Sequence, residues 1–355
     1  MVTQPPMHCP RCHRQLPHDY RFCPHDGEPT QERPAVERLA VSTTKLGDSL
    51  LGDRYRVRGF VGCGGMARVY LAEDERSGRP VAVKILQPPY ADDPEATERF
   101  LNEARIVARI GHPGVVALLA SGRRPEDDVP YLVMEFLYGE SLGEHLARHR
   151  RLRPEVGIPW MRQAASALAA AHRKGIVHRD VKPDNLFLLG EPDDAHRLKV
   201  IDFGLSKEQT QKLTAAGTIV GTPEFMAPEQ VLAEPLDGRC DVYALGVVMY
   251  RTFTGRLPFE GGDDVELVAQ QVHRPPRPPR ELAGDIDPRL ERVILAALRK
   301  HPDHRYPSMA LVFEDLVRLD TPSAPLWADE PREDLPFEPR GRVAREVAAA
   351  LRRVL

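Results

Sequence analysis

The chain has 355 residues, of which 28% are charged and 42% hydrophobic, and its formal net charge is −3. This composition is ordinary for a globular protein, and the small net charge gives no reason to expect a nucleic-acid or acidic-lipid partner. No run approaches the roughly 18 consecutive apolar residues of a membrane helix, and five cysteines in so long a chain do not indicate a disulfide framework. We therefore expect a cytoplasmic protein without a membrane span.

The first element in the chain is a cysteine-containing segment at residues 1–30. The sequences CPRC and FCPHDG contain Cys9, Cys12 and Cys23, spaced as two short knuckles. The segment resembles small zinc ribbons, in which four ligands surround Zn²⁺ tetrahedrally. The fourth cysteine is absent. Asp26 stands in its position, with the adjacent His25 as the alternative ligand, and a ribbon that has lost its metal is the competing interpretation.

Residues 31–52 are polar and lack apolar periodicity, so we interpret them as a linker. The sequence VGCGGMARVY follows from Val61 and reads as strand, glycine-rich turn and strand. Gly62 and Gly64 would let the backbone approach a triphosphate without an intervening side chain. The apolar run VAVK then ends at Lys84, which is placed to hold the α- and β-phosphates of a nucleotide.

A helix is predicted over residues 98–110. Its apolar residues Phe100, Leu101, Ala104 and Val107 have helical spacing. The same segment contains Glu103, whose carboxylate a helix could direct at Lys84.

The octet HRDVKPDN, residues 178–185, combines groups that phosphoryl transfer requires. Asp180 can accept the proton of an attacking hydroxyl, Lys182 can meet the transferred phosphate, and Asn185 can ligate Mg²⁺. Asp202, in the triplet DFG, would supply a second metal ligand.

These motifs, in this order, resemble those of the eukaryotic-type protein kinases, and among them the bacterial serine/threonine kinases. The resemblance covers residues 53–320 and implies a two-lobed α+β fold: a small antiparallel sheet with one helix at residues 53–136 and a mostly helical lobe at residues 137–320, with ATP between them. It implies ATP- and Mg²⁺-dependent phosphorylation of protein serine and threonine, including autophosphorylation, in intracellular signalling.

The resemblance also implies roles for further residues. Met134 would be the gatekeeper beside adenine, and the ATP site as a whole would comprise Val61, Gly62, Gly64, Val69, Ala82, Lys84, Met134, Glu135, Leu137 and Leu186. The family's third loop glycine is replaced by Ala67, from which we expect at most weaker or slower nucleotide binding.

Other implied roles belong to the acceptor side of the reaction. Thr222 would contact the protein substrate, and Arg179 would gather a phosphate on the activation segment, where Thr214 and Thr218 are the candidate acceptors. Asp241 would steady the catalytic loop, and Glu229 of the APE triplet would pair with Arg305.

The remaining segments leave alternatives open. The run HRPPRPPREL lies between predicted helices at residues 265–272 and 290–298, which favours a loop over a docking ligand. Residues 321–355 are predicted to be a proline-rich linker that ends in a short basic amphipathic helix, with Val343, Val347, Leu351 and Val354 on one face. We expect that helix either to rest on its own domain or to make a partner or autoinhibitory contact, with a membrane role the least favoured because the helix is short. The zinc-ribbon-like segment is expected to dock a protein.

Two other function classes compete with an active kinase. One is a nucleotide-binding scaffold that recruits partners through its terminal segments. The other is a zinc-dependent nucleic-acid binder with an attached kinase domain. The complete set of Lys84, Glu103, Asp180, Asn185 and Asp202 disfavours the scaffold, and the balanced charge disfavours the nucleic-acid binder.

Overall fold

The computed structural model of the chain describes residues 7–8, 15–16, 31–32, 49–64, 66–88, 90–190, 198–203, 222–330 and 337–355. The chain divides into two compact units. The first comprises Met1–Glu140 and Leu188–Arg197, and the second comprises Ser141–Phe187 and Leu198–Leu355. Within the described ranges, no helix has the length and apolarity that crossing a membrane requires.

The first unit is built on antiparallel strands. Three two-residue strands, β1 (Met7–His8), β2 (Gln15–Leu16) and β3 (Gln31–Glu32), pair in the order β2-β1-β3. A larger sheet has the order β4-β5-β6-β7-β9-β8. Its strands are β4 (Leu50–Leu51), β5 (Tyr55–Cys63), β6 (Ala67–Asp74), β7 (Arg79–Leu86), β8 (Leu118–Arg123) and β9 (Pro130–Glu135).

Alternation of side chains in β7 explains why this segment is a strand. Val81, Val83 and Ile85 are buried, while Ala82 and Lys84 between them are half-buried. The β-branched residues therefore face the core of the unit, and the alternate residues share the opposite face, as the two-residue period of a strand requires.

Helix α1 (Pro94–Ile110) begins and ends at clear sequence signals. The Asp93 carboxylate accepts the backbone N–H of Glu95 at 2.9 Å, Pro94 occupies the first helical position, and Gly111 ends the helix with a φ of 58°. Phe100 and Ala104 are buried in the core of the sheet, which confirms the apolar face predicted from the sequence.

The second unit is mostly helical. Its helices are α2 (Leu142–His149), α3 (Pro154–His172), α4 (Pro228–Val231), α5 (Arg239–Thr254), α6 (Asp264–His273), α7 (Pro288–Ala297), α8 (Met309–Arg318) and α9 (Arg342–Arg352). Nearly every residue of α5 is buried, which makes this helix the centre of the unit. The proline-rich run lies between α6 and α7, as predicted, and includes a single 3-10 turn at Pro279–Glu281.

A second sheet contains three short strands in the order β10 (Gly139–Ser141), β11 (Leu186–Leu189) and β12 (Leu198–Val200). Gly139 has a φ of 145°, and a Cβ at this position would lie 1.9 Å from the carbonyl oxygen of Leu188. Only glycine therefore fits here. The antiparallel sheet with α1 in the first unit and the helices of the second confirm the predicted α+β class.

A buried carboxylate fixes the chain after α8. Asp315 accepts hydrogen bonds from the Tyr306 hydroxyl at 2.8 Å and from the backbone N–H groups of Trp327 and Ala328 at 3.0 Å each. Trp327–Asp329 forms a 3-10 turn, and the Trp327 ring lies 4.4 Å from that of Tyr306. Part of the segment predicted to be a linker is thus packed on the helical unit.

Helix α9 forms where the sequence predicted a basic amphipathic helix, and its buried face agrees with the predicted one at Leu351 and at the partly buried Val347 but not at Val343 and Val354. Ala344, Ala348 and Leu351 pack into the cluster with Val268 and Val272 of α6. By contrast, 72% of Val343 and 49% of Val354 are exposed. The prediction chose the most hydrophobic side chains, whereas alanine lets two helices approach more closely than valine does.

We predict that Asp315→Ala destabilises the helical unit by about 3 kcal/mol, because it leaves the part-buried N–H of Trp327, the buried N–H of Ala328 and the buried Tyr306 hydroxyl unpaired. Urea unfolding followed by tryptophan fluorescence measures this, since Trp327 lies beside the site. The control is Glu314→Ala, which removes an exposed pair with Arg318 and should cost less than about 1 kcal/mol. Equal unfolding of both variants would contradict the anchoring role.

Candidate active site

Three polar side chains from the loop between α3 and β11 lie together. The Asn185 side-chain amide donates to the Asp180 carboxylate at 3.2 Å and to the Asp180 carbonyl oxygen at 2.8 Å. The Lys182 ammonium lies 3.3 Å from the same carboxylate. Asp180 is 15% exposed and Lys182 20%, so this carboxylate is near solvent while its orientation is fixed by neighbours.

His178 is fully buried behind this loop. Its Nε2 lies 3.1 Å from the carbonyl oxygen of Ile201, and its Nδ1 accepts the backbone N–H of Asp180 at 3.2 Å. The ring stacks on Phe203 with 4.6 Å between ring centres. Burial lowers the pKa of His178, so the neutral ring with its proton on Nε2 fits both contacts. His178 thus joins the Asp180 loop to the segment that precedes Asp202.

The buried carboxylate of Asp241 in α5 holds the start of the loop. It accepts the backbone N–H groups of His178 and Arg179, each at 2.8 Å, and the Nε2 of His172 lies 2.7 Å away. Burial opposes ionisation of Asp241, but these hydrogen bonds, together with the charge of His172, outweigh it and lower the pKa of the carboxyl. Asp241 therefore remains an anion that binds backbone donors.

Two non-glycine residues of the site have left-handed backbone conformations. The φ of Arg179 is 65° and that of Asp202 is 51°. Such conformations cost about 1–3 kcal/mol and persist only where the surroundings impose them. The surroundings of Arg179 impose its conformation, since its N–H donates to Asp241 and its carbonyl oxygen accepts the Gln230 side-chain amide at 3.0 Å.

Thr222 lies beside the same lysine. The Lys182 ammonium donates to the Thr222 hydroxyl at 3.1 Å, so one cation contacts both Asp180 and Thr222. A 3-10 turn at Pro223–Phe225 follows directly. The structure therefore brings Asp180, Lys182 and Thr222 together.

Oxygen atoms from two segments are candidate metal ligands. The backbone N–H of Ile201 donates to the carbonyl oxygen of Asn185 at 3.0 Å, which places exposed Asp202 one residue from this junction. Because the Asn185 amide nitrogen donates to Asp180, its side-chain oxygen remains an acceptor. Amide and carboxylate oxygens are the ligand types that Mg²⁺ prefers.

A buried ion pair links α4 to the segment after α7. Arg305 donates two hydrogen bonds to the Glu229 carboxylate, at 2.6 and 2.8 Å, and three more to the carbonyl oxygens of Arg239, Arg299 and Lys300. Its guanidinium also lies 4.8 Å from the ring centre of Tyr243. Burial of this charge is tolerated because the guanidinium is fully hydrogen-bonded.

In the first unit, the glycine-rich turn lies between β5 and β6. Cys63 pairs with Arg68, and the Gly64 N–H donates to the carbonyl oxygen of Ala67 at 2.8 Å. Among the described residues, a Cβ at Gly62 would meet nothing within 4 Å, and one at Gly64 would meet only the Ala67 oxygen at 3.8 Å. Packing against the described residues therefore does not explain these two glycines.

Strand register places four predicted nucleotide-site residues on one face of the sheet. Val69 is directly opposite Lys84, and Ala82 is directly opposite Met134. Opposed residues share a face, as do residues two apart in a strand. Val69, Ala82, Lys84 and Met134 therefore form one surface.

The other predicted nucleotide-site residues are placed as follows. Val61 is half exposed, and Leu186 is buried at the start of β11. Leu137 is half-buried after β9, and the Glu135 carboxylate accepts the Ala117 N–H at 2.7 Å. Glu103 lies within α1, but the predicted contact of its side chain with Lys84 lies outside what the structure describes.

Some predictions fall wholly outside the described residues. These are the zinc-ligand candidates Cys9, Cys12, Cys23, His25 and Asp26, and the phosphorylation candidates Thr214 and Thr218. In the described part of the chain, no group of three or more His, Cys, Asp or Glu side chains is arranged to hold a metal ion.

Sequence reasoning missed His172 and Gln230. His172 lies 69 residues from its partner Asp241, and Gln230 lies 51 residues from Arg179. Gln230 is buried in α4 beside Glu229, and His172 is half-buried at the end of α3, after a run of buried alanines. That pattern is a usable signal, because buried polar side chains need partners.

Comparison with known proteins agrees with this geometry. The family profile described as protein kinase domain matches residues 55–316. The chain therefore belongs to the protein kinase family.

Two curated relatives are bacterial serine/threonine-protein kinases. The chain is similar to the serine/threonine-protein kinase Pkn1 of Myxococcus xanthus, with 45% identity over 269 residues, covering 74% of this chain and 38% of Pkn1. It is also similar to the serine/threonine-protein kinase PknB of Mycolicibacterium smegmatis, with 38% identity over 280 residues, covering 78% of this chain and 44% of PknB. The matched region thus spans less than half the length of each of these relatives.

A solved structure shares the fold. The crystal structure of the Mycobacterium tuberculosis PknI kinase domain matches with a TM-score of 0.59 and 26% identity, covering 77% of this chain and 98% of that domain.

We predict that Arg305→Met lowers the free energy of unfolding by about 3–5 kcal/mol, because it leaves the buried Glu229 carboxylate unpaired. The double variant Glu229→Met/Arg305→Met should be more stable than the single one, since no uncompensated charge remains. Urea unfolding of the parent, both single variants and the double variant measures the coupling. Additive effects would mean that the pair does not interact energetically.

Proposed function

We propose that the chain is a serine/threonine protein kinase that transfers the γ-phosphate of ATP to hydroxyl groups of proteins, including its own activation segment. Membership of the protein kinase family and similarity to the serine/threonine-protein kinases Pkn1 and PknB support this proposal. The single observation that carries it is the arrangement of Asp180, Lys182 and Asn185 on a loop fixed by Asp241.

Asp180 is the proposed base. A substrate hydroxyl that approaches its carboxylate can transfer its proton there, and the hydrogen bond from Asn185 orients the carboxylate for this role. The Lys182 ammonium, 3.3 Å from Asp180, supplies positive charge where negative charge on the transferred group develops. The loop thereby contributes both positioning and charge, which dominate phosphoryl transfer.

Asn185 and Asp202 are the proposed ligands of Mg²⁺. Their oxygen atoms suit this hard cation. Because the Asn185 side-chain nitrogen donates to Asp180, the side-chain oxygen of Asn185 is the atom that would bind the metal. Bound Mg²⁺ would neutralise charge on the phosphates.

Apart from Leu186, the residues proposed to bind the nucleotide belong to the first unit. Space beside the Cα atoms of Gly62 and Gly64 supports a close approach of phosphate to this backbone, and Lys84 would contact the α- and β-phosphates, with Glu103 as its partner. The apolar side chains of Val69 and Ala82 share the Lys84 face of the sheet and would contact adenine. The nucleotide would also contact Val61, Leu186, the Met134 gatekeeper and the backbones of Glu135 and Leu137.

Serine and threonine specificity is proposed from Thr222. The hydrogen bond from Lys182 to its hydroxyl joins the base loop to the segment that would contact the substrate. Arg179 would bind phosphate on Thr214 or Thr218, which would order the activation segment by charge pairing.

The terminal segments are proposed docking elements. Residues 1–30 would bind zinc through Cys9, Cys12, Cys23 and Asp26, with His25 as the alternative, and would dock proteins, as would α9. We also propose that the chain acts in signalling in the cytoplasm, where the ATP it would use is present and where cysteines such as Cys63 and Cys240 remain unpaired.

Asp180→Asn should lower kcat for phosphate transfer by about 10²- to 10⁴-fold, since the amide cannot accept the proton. ATP affinity should change by less than about twofold, because the proposed phosphate contacts remain. Incorporation of labelled phosphate and equilibrium binding of ATP measure the two quantities. The control is Asp184→Asn, which alters an exposed carboxylate of the same loop and should retain activity. Parent-like turnover of Asp180→Asn would remove Asp180 from the mechanism.

Purified protein should contain about one zinc ion per chain, and Cys12→Ser should lower this content by more than about half, because the site loses a ligand. Elemental mass spectrometry measures the content. Cys63→Ser is the control, since this exposed cysteine pairs with Arg68 beside the glycine-rich turn and is not a proposed zinc ligand. Zinc-free parent protein would contradict the ribbon proposal.

A further inference from the structure

Gln271 of α6 contacts the turn that follows Thr222. Its side chain is fully buried, and its amide donates to the carbonyl oxygen of Glu224 at 2.6 Å and to that of Pro223 at 3.4 Å. One side-chain amide thus serves two successive carbonyl groups of the Pro223–Phe225 turn. A fully buried amide is costly unless it is hydrogen-bonded, so packing alone would favour an apolar residue here.

The orientation of this amide is fixed from the other side. The Tyr243 hydroxyl donates to Gln271 Oε1, which directs the amide nitrogen toward the turn. Tyr243 in turn accepts a hydrogen bond from the Lys300 ammonium at 3.3 Å. The donors therefore run in one direction, from Lys300 through Tyr243 and Gln271 to the turn.

Helix α6 is itself held at its C-terminal end. The Lys300 ammonium donates to the carbonyl oxygens of Gln271 at 2.7 Å and Gln270 at 3.3 Å, and it lies 3.9 Å from the ring centre of Phe259. A cation at the end of a helix stabilises the last carbonyl groups. Buried Lys300 thereby fixes the position from which Gln271 reaches the turn.

Helix α9 covers another face of α6. Val268, Ala269 and Val272 share one apolar cluster with Ala344, Ala348 and Leu351 of α9, and Met226 and Val231, just after the turn, belong to the same cluster. His273 Nε2 lies 2.8 Å from the carbonyl oxygen of Ala348. Helix α6 is therefore fixed by α9 on one face while Gln271 contacts the turn.

We propose that Gln271 is a positioning residue for the protein acceptor. It holds the Pro223–Phe225 turn, and with it Thr222, in the place where Lys182 contacts the Thr222 hydroxyl. This inference rests on the proposed kinase function, in which Thr222 contacts the acceptor. Loss of the Gln271 amide should therefore lower kcat/KM for the protein acceptor without changing the KM for ATP, because its side chain contacts the turn and Tyr243.

The adjacent residue provides a matched control. Gln270 is also buried, but its amide donates to the carbonyl oxygen of Glu260 at 2.8 Å and to the Glu266 carboxylate at 3.4 Å. Gln270→Met therefore removes the same group from the same helix without removing a contact to the turn.

The test uses a catalytically inactive Asp180→Asn copy of the full chain as the acceptor, distinguished by a mass tag. Its phosphorylation by the parent, Gln271→Met, Gln270→Met and Tyr243→Phe enzymes is followed by intact-mass spectrometry at several acceptor concentrations. The KM for ATP and the rate of ATP hydrolysis without acceptor are measured in parallel.

Gln271→Met should lower kcat/KM for the acceptor by about tenfold while leaving the KM for ATP and acceptor-free hydrolysis within about twofold. Gln270→Met should match the parent. Tyr243→Phe should lower kcat/KM for the acceptor by about threefold, because the Gln271 amide loses its orienting donor. If Gln271→Met does not fold, Tyr243→Phe decides the question by the same comparison.

Equal kcat/KM for Gln271→Met and Gln270→Met would overturn the inference. A parallel loss of acceptor-free ATP hydrolysis in Gln271→Met would also overturn it, because Gln271 would then support the fold in general. If the parent enzyme transfers no phosphate to the acceptor copy, the proposed function itself fails, which is a distinct result.

Discussion

The site depends on one buried anion. Asp241, at the centre of the helical unit, binds the backbone N–H groups of two successive residues, His178 and Arg179, and also contacts His172. These bonds impose the left-handed conformation of Arg179, whose φ is 65°. Because Asp180 follows directly, its carboxylate is presented to Lys182 and Asn185. The strain at Arg179 is therefore offset by charge-assisted hydrogen bonds from the fold.

Buried polar contacts also hold the turn after Thr222 and helix α4, which follows it. Arg305 binds Glu229 of α4, and Gln271 of α6 binds the turn after Thr222. Tyr243 of α5 joins the two, since its ring lies beside the Arg305 guanidinium and its hydroxyl donates to Gln271. Buried, fully bonded polar groups specify one arrangement more strictly than apolar packing does. Helix α5 thus supplies a contact to each segment: Asp241 binds the loop that contains Asp180, and Tyr243 binds Gln271, which contacts the turn after Thr222.

The grouping of the candidate site residues in the Asp180 loop could be predicted from the sequence, because it is encoded locally. Asp180, Lys182 and Asn185 lie within six residues of one another, and the alternation around Lys84 defines its strand. The partners of His172 and Gln271 could not be predicted, because a buried polar residue signals only that it needs a partner, and no local pattern identifies Asp241 or the turn as that partner. For α9 the helix was correct and Leu351 is buried as predicted, but Val343 and Val354 are exposed because close helix packing favoured Ala344 and Ala348.

The most direct test of this account is the rate of phosphate transfer by Asp241→Asn, measured with the inactive Asp180→Asn copy as the acceptor. An asparagine offers one oxygen and turns an amide N–H₂ group toward a backbone N–H, so the loop should move. We predict that kcat falls by about a hundredfold in a protein that remains folded by tryptophan fluorescence. The matched control is Asp237→Asn, which alters an exposed carboxylate close by and should retain activity. Parent-like kcat in Asp241→Asn would contradict the central role of this anion.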